Sequence, residues 1–124
     1  MRIRTRANPD FAIARVERQH RLIDELRRRA PRYVTATVLA HELGVSTRTI
    51  ERDISRLLDA GIPIGVLRGP GGGYSIDARS KLDPVVFTPG EAAAMISALV
   101  TLGPYTSPAS GRALNKLVRA LSGK

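Results

Sequence analysis

The sequence contains no cysteine and no tryptophan. Without thiols it can form neither disulfides nor thiolate metal sites, which suits a reducing compartment. Aromatic residues make up only 4% of the chain, which counts against the exposed stacking platform used to read single-stranded RNA. No apolar run approaches the roughly 18 residues that span a bilayer. The longest candidate, Ala92–Leu102, is too short and is interrupted by Ser97 and Thr101. The basic start, MRIRTRANPD, has no apolar segment behind it and is not a secretory signal. These absences predict a cytoplasmic protein with no membrane partner.

Catalytic sets are also missing. The only histidines are His20 and His41, each on an expected helix. His20 falls in an apolar register, where a packed core histidine is the expectation. No G-x-S-x-G, H-E-x-x-H or paired-carboxylate arrangement occurs. Glu51 and Asp53 are neighbours in sequence but point about 160° apart on a helix, and Asp53 is expected to pair with a basic neighbour and orient it. The glycine-rich stretch RGPGGGY (Arg68–Tyr74) lacks the Lys-Ser/Thr of a phosphate-binding loop. Tyr74 stands where a dinucleotide fingerprint needs its third glycine. The sequence therefore predicts no enzyme: no catalytic residue, no cofactor, no metal and no small-molecule ligand.

What the chain does have is positive charge. Its 124 residues are 43% hydrophobic and 25% charged, the composition of a small globular domain with an appendage. The formal net charge is +9 and the sequence pI about 11.2, a balance that favours a polyanionic partner. Met1–Val34 carries +6 of that excess, Thr35–Arg79 is balanced, and the remainder carries +3. Any one of the early arginines can simply solvate a helix face. As a cluster, with Arg2, Arg4 and Arg6 at its start, they read as an arm facing phosphate.

Periodicity predicts five helices and one hairpin. The first helix runs from about Asp10 to Arg29 and stops before Pro31. Ile13, Val16, His20 and Ile23, with Leu22 and Leu26 beside them, form its apolar face, and Arg15, Arg18 and Arg21 its polar one. Thr35 or Thr37 caps a second helix to about Leu43, with Val38, Leu39 and Leu43 inward and Gly44 as a left-handed terminator. Only Val45 separates that glycine from Ser46, the N-cap of a third helix over Ser46–Ala60. On this helix Ile50, Ile54 and Leu57 share one side. Arg48, Arg52 and Ser55 share the other, with Thr47 at the tip and Arg56 alongside. Two short helices across a tight turn, the second with a polar outer face, follow the helix-turn-helix plan. Gly61 ends the third helix. Ile62–Leu67 and the stretch through Ile76 then read as strands around the glycine-rich turn, and this hairpin makes the order that of a winged helix. Arg68 at the wing tip is placed for backbone phosphate or the minor groove.

Lys81, Asp83 and Pro84 mark a linker. Thr88, Pro89 and Glu91 form a capping box that starts a fourth helix reaching about Leu102. A fifth, from about Ala109 to Leu121, places Leu114, Leu117, Val118 and Leu121 on one side. These two helices have too little area for a core of their own. A homodimer is the expected way to cover Met95, Ile96, Leu99 and Leu102 with Leu114, Leu117 and Leu121.

The motifs LAHELGVSTRTIERDISRLLDAGIPI, GPGGGYSI and LDPVVFTPGEAAAMISAL resemble the N-terminal region of the WYL-type, deoxyribose-operon-repressor-like transcription regulators. The most specific part is V-S-x-R-T-I-x-R-D-I at Val45–Ile54. Gly72, Gly73 and Tyr74 match the wing, and Thr88, Glu91, Ala92 and Ala94 the linker helix. The resemblance implies a bacterial, nucleoid-associated DNA-binding regulator. Such proteins continue into a larger ligand-sensing domain with a Trp-Tyr-Leu signature. This sequence has no Trp and ends at Lys124, so that domain is not expected in it.

The expectation is thus a mainly α chain with a small β-hairpin: a winged helix-turn-helix over 1–79, then a linker and two helices over 80–124. Its partner is double-stranded DNA, met by the third helix in the major groove and by the wing over 65–76. The candidate contacts are Thr35, Thr37, Ser46, Thr47, Arg48, Thr49, Arg52, Arg56 and Arg68. The alternative is a winged-helix module that binds protein, but such a module should have lost Arg48 and Arg52.

Overall fold

The computed structural model describes residues 9–77, 79, 82–103 and 107–123, with backbone alone for 9–13. The early arginines Arg2, Arg4 and Arg6 lie outside the described residues. The elements follow in the order α1 (Pro9–Arg29), α2 (Ala36–Leu43), α3 (Thr47–Asp59), β1 (Ile64–Leu67), β2 (Gly73–Ile76), α4 (Pro89–Leu102) and α5 (Pro108–Ser122). This is a winged helix-turn-helix followed by two C-terminal helices. The chain divides into two compact units, one spanning Arg18–Leu82 and the other combining the chain up to Glu17 with the part from Asp83 onward.

The caps explain the boundaries. Thr35 and Ser46 have extended backbones, and their hydroxyls accept from Val38 N and Thr49 N, each at 3.1 Å. Each removes one of the unpaired N–H groups of a helix start. Between the two helices Gly44 takes φ 69°, a left-handed turn that a side chain resists. That residue lets α2 and α3 pack closely after a three-residue break.

The first unit is held by one core. Leu22 and Leu26 of α1, Leu39 of α2 and Ile50 of α3 are fully buried. Leu43, Ile54 and Leu57 join them, and Ile64 and Ile76 close the core from the wing. The strands pair antiparallel, with Ile64 opposite Ile76 and Val66 opposite Tyr74. Val34 adds an isolated rung to β2: its N–H donates to Tyr74 O at 2.7 Å and its carbonyl accepts from Tyr74 N at 2.8 Å. The backbone of Gly73 lies so close to this rung that a Cβ there would sit 2.2 Å from the Val34 carbonyl oxygen.

Four expectations need correction. Val16 and Val38 are exposed, and the buried stripe of α1 runs instead through Leu22 and Leu26. His20 is not a core residue: its imidazole is 35% exposed and lies 3.3 Å from the Asp24 carboxylate one turn on. Arg18 leaves the polar face to meet Asp53. The first wing strand begins at Ile64 rather than Ile62, because Ile62 N is used to close the end of α3 by donating to Leu57 O.

In the second unit Thr88 and Glu91 form the reciprocal capping box: Glu91 N donates to Thr88 Oγ1 at 3.1 Å and Thr88 N to Glu91 Oε1 at 2.9 Å. Helix α4 packs on α5. Ala92 is the one buried residue of the pair, and Val100, Val118 and Leu121 stay exposed. No described helix is long and apolar enough to cross a membrane.

Candidate nucleic-acid interface

Helix α3 separates its two faces sharply. Ile50, Ile54 and Leu57 are buried, together with one charged side chain, Asp53. Arg48, Arg52 and Ser55 are exposed on the opposite side. Neither guanidinium has a hydrogen bond or ion pair among the described residues. The same holds for Arg68 in the wing turn. These three cations are therefore available to a ligand.

Most arginines of α1 are not. Arg27 pairs with Asp24 at 3.1 Å, Arg28 and Arg29 with Glu25, and Arg29 also with Glu42 at 3.4 Å. Arg21 donates to the Glu42 carbonyl at 3.2 Å. The bond from Arg28, then that from Arg29, holds the Glu25 carboxyl below its ordinary pKa. The arginine cluster thus spends much of its charge inside the protein. Arg15 and Arg32 make no such pair among the described residues.

Each expected contact residue can now be placed. Thr35 and Thr37 open α2, and Thr35 spends its hydroxyl as the cap while Thr37 is exposed. Ser46 caps α3 and its Oγ also lies 3.1 Å from Thr49 Oγ1. Thr47 is exposed at the helix tip. Arg48, Arg52 and Arg56 follow at successive turns, and Arg68 stands apart in the wing. Arg56 differs from its two neighbours: its Nη1 lies 3.3 Å from Asp53 Oδ1.

The feature not read from the sequence is what surrounds Asp53. Its side chain is 0% exposed. Arg18 grips it with two nitrogens, Nε on Oδ2 and Nη2 on Oδ1 at 3.1 Å, and Gln19 Nε2 reaches Oδ1 at 3.5 Å. Burial alone would raise the Asp53 pKa. The bond and charge of Arg18, then Gln19 and Arg56, outweigh it and hold the carboxyl below its ordinary value. The acid was recognisable, since it stands beside the apolar register of Ile50 and Ile54. Its partner was not, because any of several arginines on α1 would have served.

Chemically, an arginine fork can donate two parallel bonds to a guanine edge or a phosphate, and a helix N-terminus adds free N–H groups for anions. Among the described residues no group of His, Asp and Glu could hold a metal ion.

Similarity to known proteins falls on the same part of the chain. Residues 18–75, a little under half of the chain, match the model of an HTH domain. This match starts at the same residue as the first compact unit. The chain is 39% identical over 77 residues to the uncharacterized HTH-type transcriptional regulator YobV of Bacillus subtilis (strain 168). That alignment covers 62% of this chain but 25% of the relative, so the chain spans about a quarter of that protein's length. No solved structure matches the chain significantly. Residues 18–75 thus match a helix-turn-helix domain in sequence where the fold shows a winged helix-turn-helix.

Proposed function

We propose that the chain is a sequence-specific regulator of transcription that binds double-stranded DNA. In this reading α3 enters the major groove, and the wing turn with Arg68 meets backbone or minor groove. One observation carries it: α3 is fixed to the core by one face and carries two unpartnered guanidinium groups, Arg48 and Arg52, on the other. Ser46, Thr47 and the first N–H groups of α3 suit adjacent phosphates. Thr35, Thr37, Thr49 and Arg56 complete the proposed contact surface. The similarity to a transcriptional regulator supports the same reading.

The functional division proposed is 1–79 for DNA and 80–124 for self-association. The half-exposed Met95, Ile96, Leu99 and Leu102 on α4, and Leu114 and Leu117 with exposed Leu121 on α5, support a homodimer. The motifs at Val45–Ile54, Gly72–Tyr74 and Thr88–Ala94 support placement among WYL-type regulators, with the bacterial cytoplasm and nucleoid as its location. Selection of bound duplexes from a random pool, at one stated salt concentration, tests the reading. A shared motif arranged as an inverted repeat is expected. Recovery of unselected sequence at the affinity of bulk DNA would contradict it.

A further inference from the structure

Among the described residues, Arg56 is the only one of the three α3 arginines with an internal partner, and the group holding it is buried. Asp53 lies at the margin of the buried stripe, and both its oxygens are occupied. The two-nitrogen grip of Arg18 fixes the carboxylate from the α1 side, so it cannot turn to follow Arg56. Arg56 must instead follow Asp53. By helical geometry Arg56 stands one turn beyond Arg52 and about 40° around from it, between Asp53 and the outer face. It is 46% exposed, with one N–H group engaged and the remaining donors uncommitted. A guanidinium oriented before contact loses less freedom when it binds and tolerates fewer target geometries.

We propose that Asp53 is a positioning residue of the DNA-facing surface: its buried carboxylate, locked by Arg18, holds the Arg56 guanidinium in one orientation and thereby sharpens discrimination among DNA sites. The inference rests on the reading of α3 as the DNA-facing helix.

A purely structural or purely electrostatic role for Asp53 has a different signature. Removing a negative charge near a polyanion should, by charge alone, tighten binding to every duplex. Loss of positioning should weaken binding to the preferred duplex only. The full chain and its Asp53→Asn, Arg56→Ala and double variants are titrated at one salt concentration. The targets are the selected duplex and a random duplex of equal length, with folding checked by circular dichroism. Asp53→Asn is expected to lose about tenfold on the selected duplex, with affinity for random DNA unchanged or raised. The double variant should lose no more than Arg56→Ala alone. Equal or tighter binding of Asp53→Asn to both duplexes, or additive losses in the double variant, would overturn the proposal. If Asp53→Asn does not fold, Arg56→Lys replaces it, keeping the charge without the fork. The same selective loss supports the proposal and an unchanged preference overturns it. Arg52→Ala, run alongside, separates the two levels. Its selective loss beside an unaffected Asp53→Asn rejects only the positioning role. If no variant, Arg52→Ala included, alters preference, the DNA reading itself fails.

Discussion

The chemistry of the domain concentrates in a few charged side chains, divided between those spent on the fold and those left open. Arg18, Arg27, Arg28 and Arg29 are spent on carboxylates. Arg48, Arg52 and Arg68 are open among the described residues. Asp53 is the costliest of the first group, since a buried carboxylate is tolerated only when paired and hydrogen-bonded. Because its native pKa lies below its unfolded one, the native state binds fewer protons. The stabilisation is full above about pH 5 and is lost as pH falls through the carboxylate range. Asp53→Asn should therefore lower the melting temperature at pH 7. It should also flatten the decline between about pH 5 and pH 3 relative to the parent chain. Parallel pH profiles of the two proteins would show that the ion pair contributes no pH-dependent stability.

Elements whose ends are marked by local chemistry were legible in the sequence. The caps Ser46 and Thr88, the terminator Gly44 and the capping box at Glu91 all stand as read, and of the two candidates for α2 the cap is Thr35, because each acts within one turn of its own helix. Features that depend on distant chain were not. Val16 and Val38 fit an apolar period, yet both stay outside the buried core. The pairing of Arg18 with Asp53 joins residues 35 positions apart. The rung between Val34 and Tyr74 likewise links the connector after α1 to the wing. Of the wing glycines, Gly73 is explained by that rung rather than by the turn. Gly73→Ala should force the two backbones apart and cost about 1–3 kcal/mol. Gly111 in α5 meets nothing within 4 Å of an added Cβ, so Gly111→Ala should instead stabilise by about 0.5–1 kcal/mol. Thermal melting of both variants checks the contrast, and an equal effect at the two positions would remove the close-approach argument. On the site, the outer face of α3 was readable from helical spacing alone. The Arg56–Asp53 pair spans three residues of one helix and lay within reach of spacing, but the burial of Asp53 against Arg18 could come only from the tertiary fold.

For the whole molecule, net charge and exposed apolar surface point to two kinds of partner. Leu82, Val85 and Val86 of the linker, with Val100, Val118 and Leu121 of the last two helices, are all exposed. Large apolar side chains left exposed on two short helices are commonly covered by a partner. Sedimentation equilibrium should give a dimer for the full chain and a monomer for a version ending at Arg79. A monomeric full chain at tens of micromolar, or an equally dimeric shortened one, would rule out self-association through α4 and α5. For the outer face of α3 the deciding titration sets the parent chain and Arg52→Ala against the selected and random duplexes. If the outer face reads bases, Arg52→Ala loses about 1–3 kcal/mol on the selected duplex and little on the random one, with preference relaxed at one base position. Equal losses on both duplexes would show that Arg52 touches only phosphate and would contradict the account.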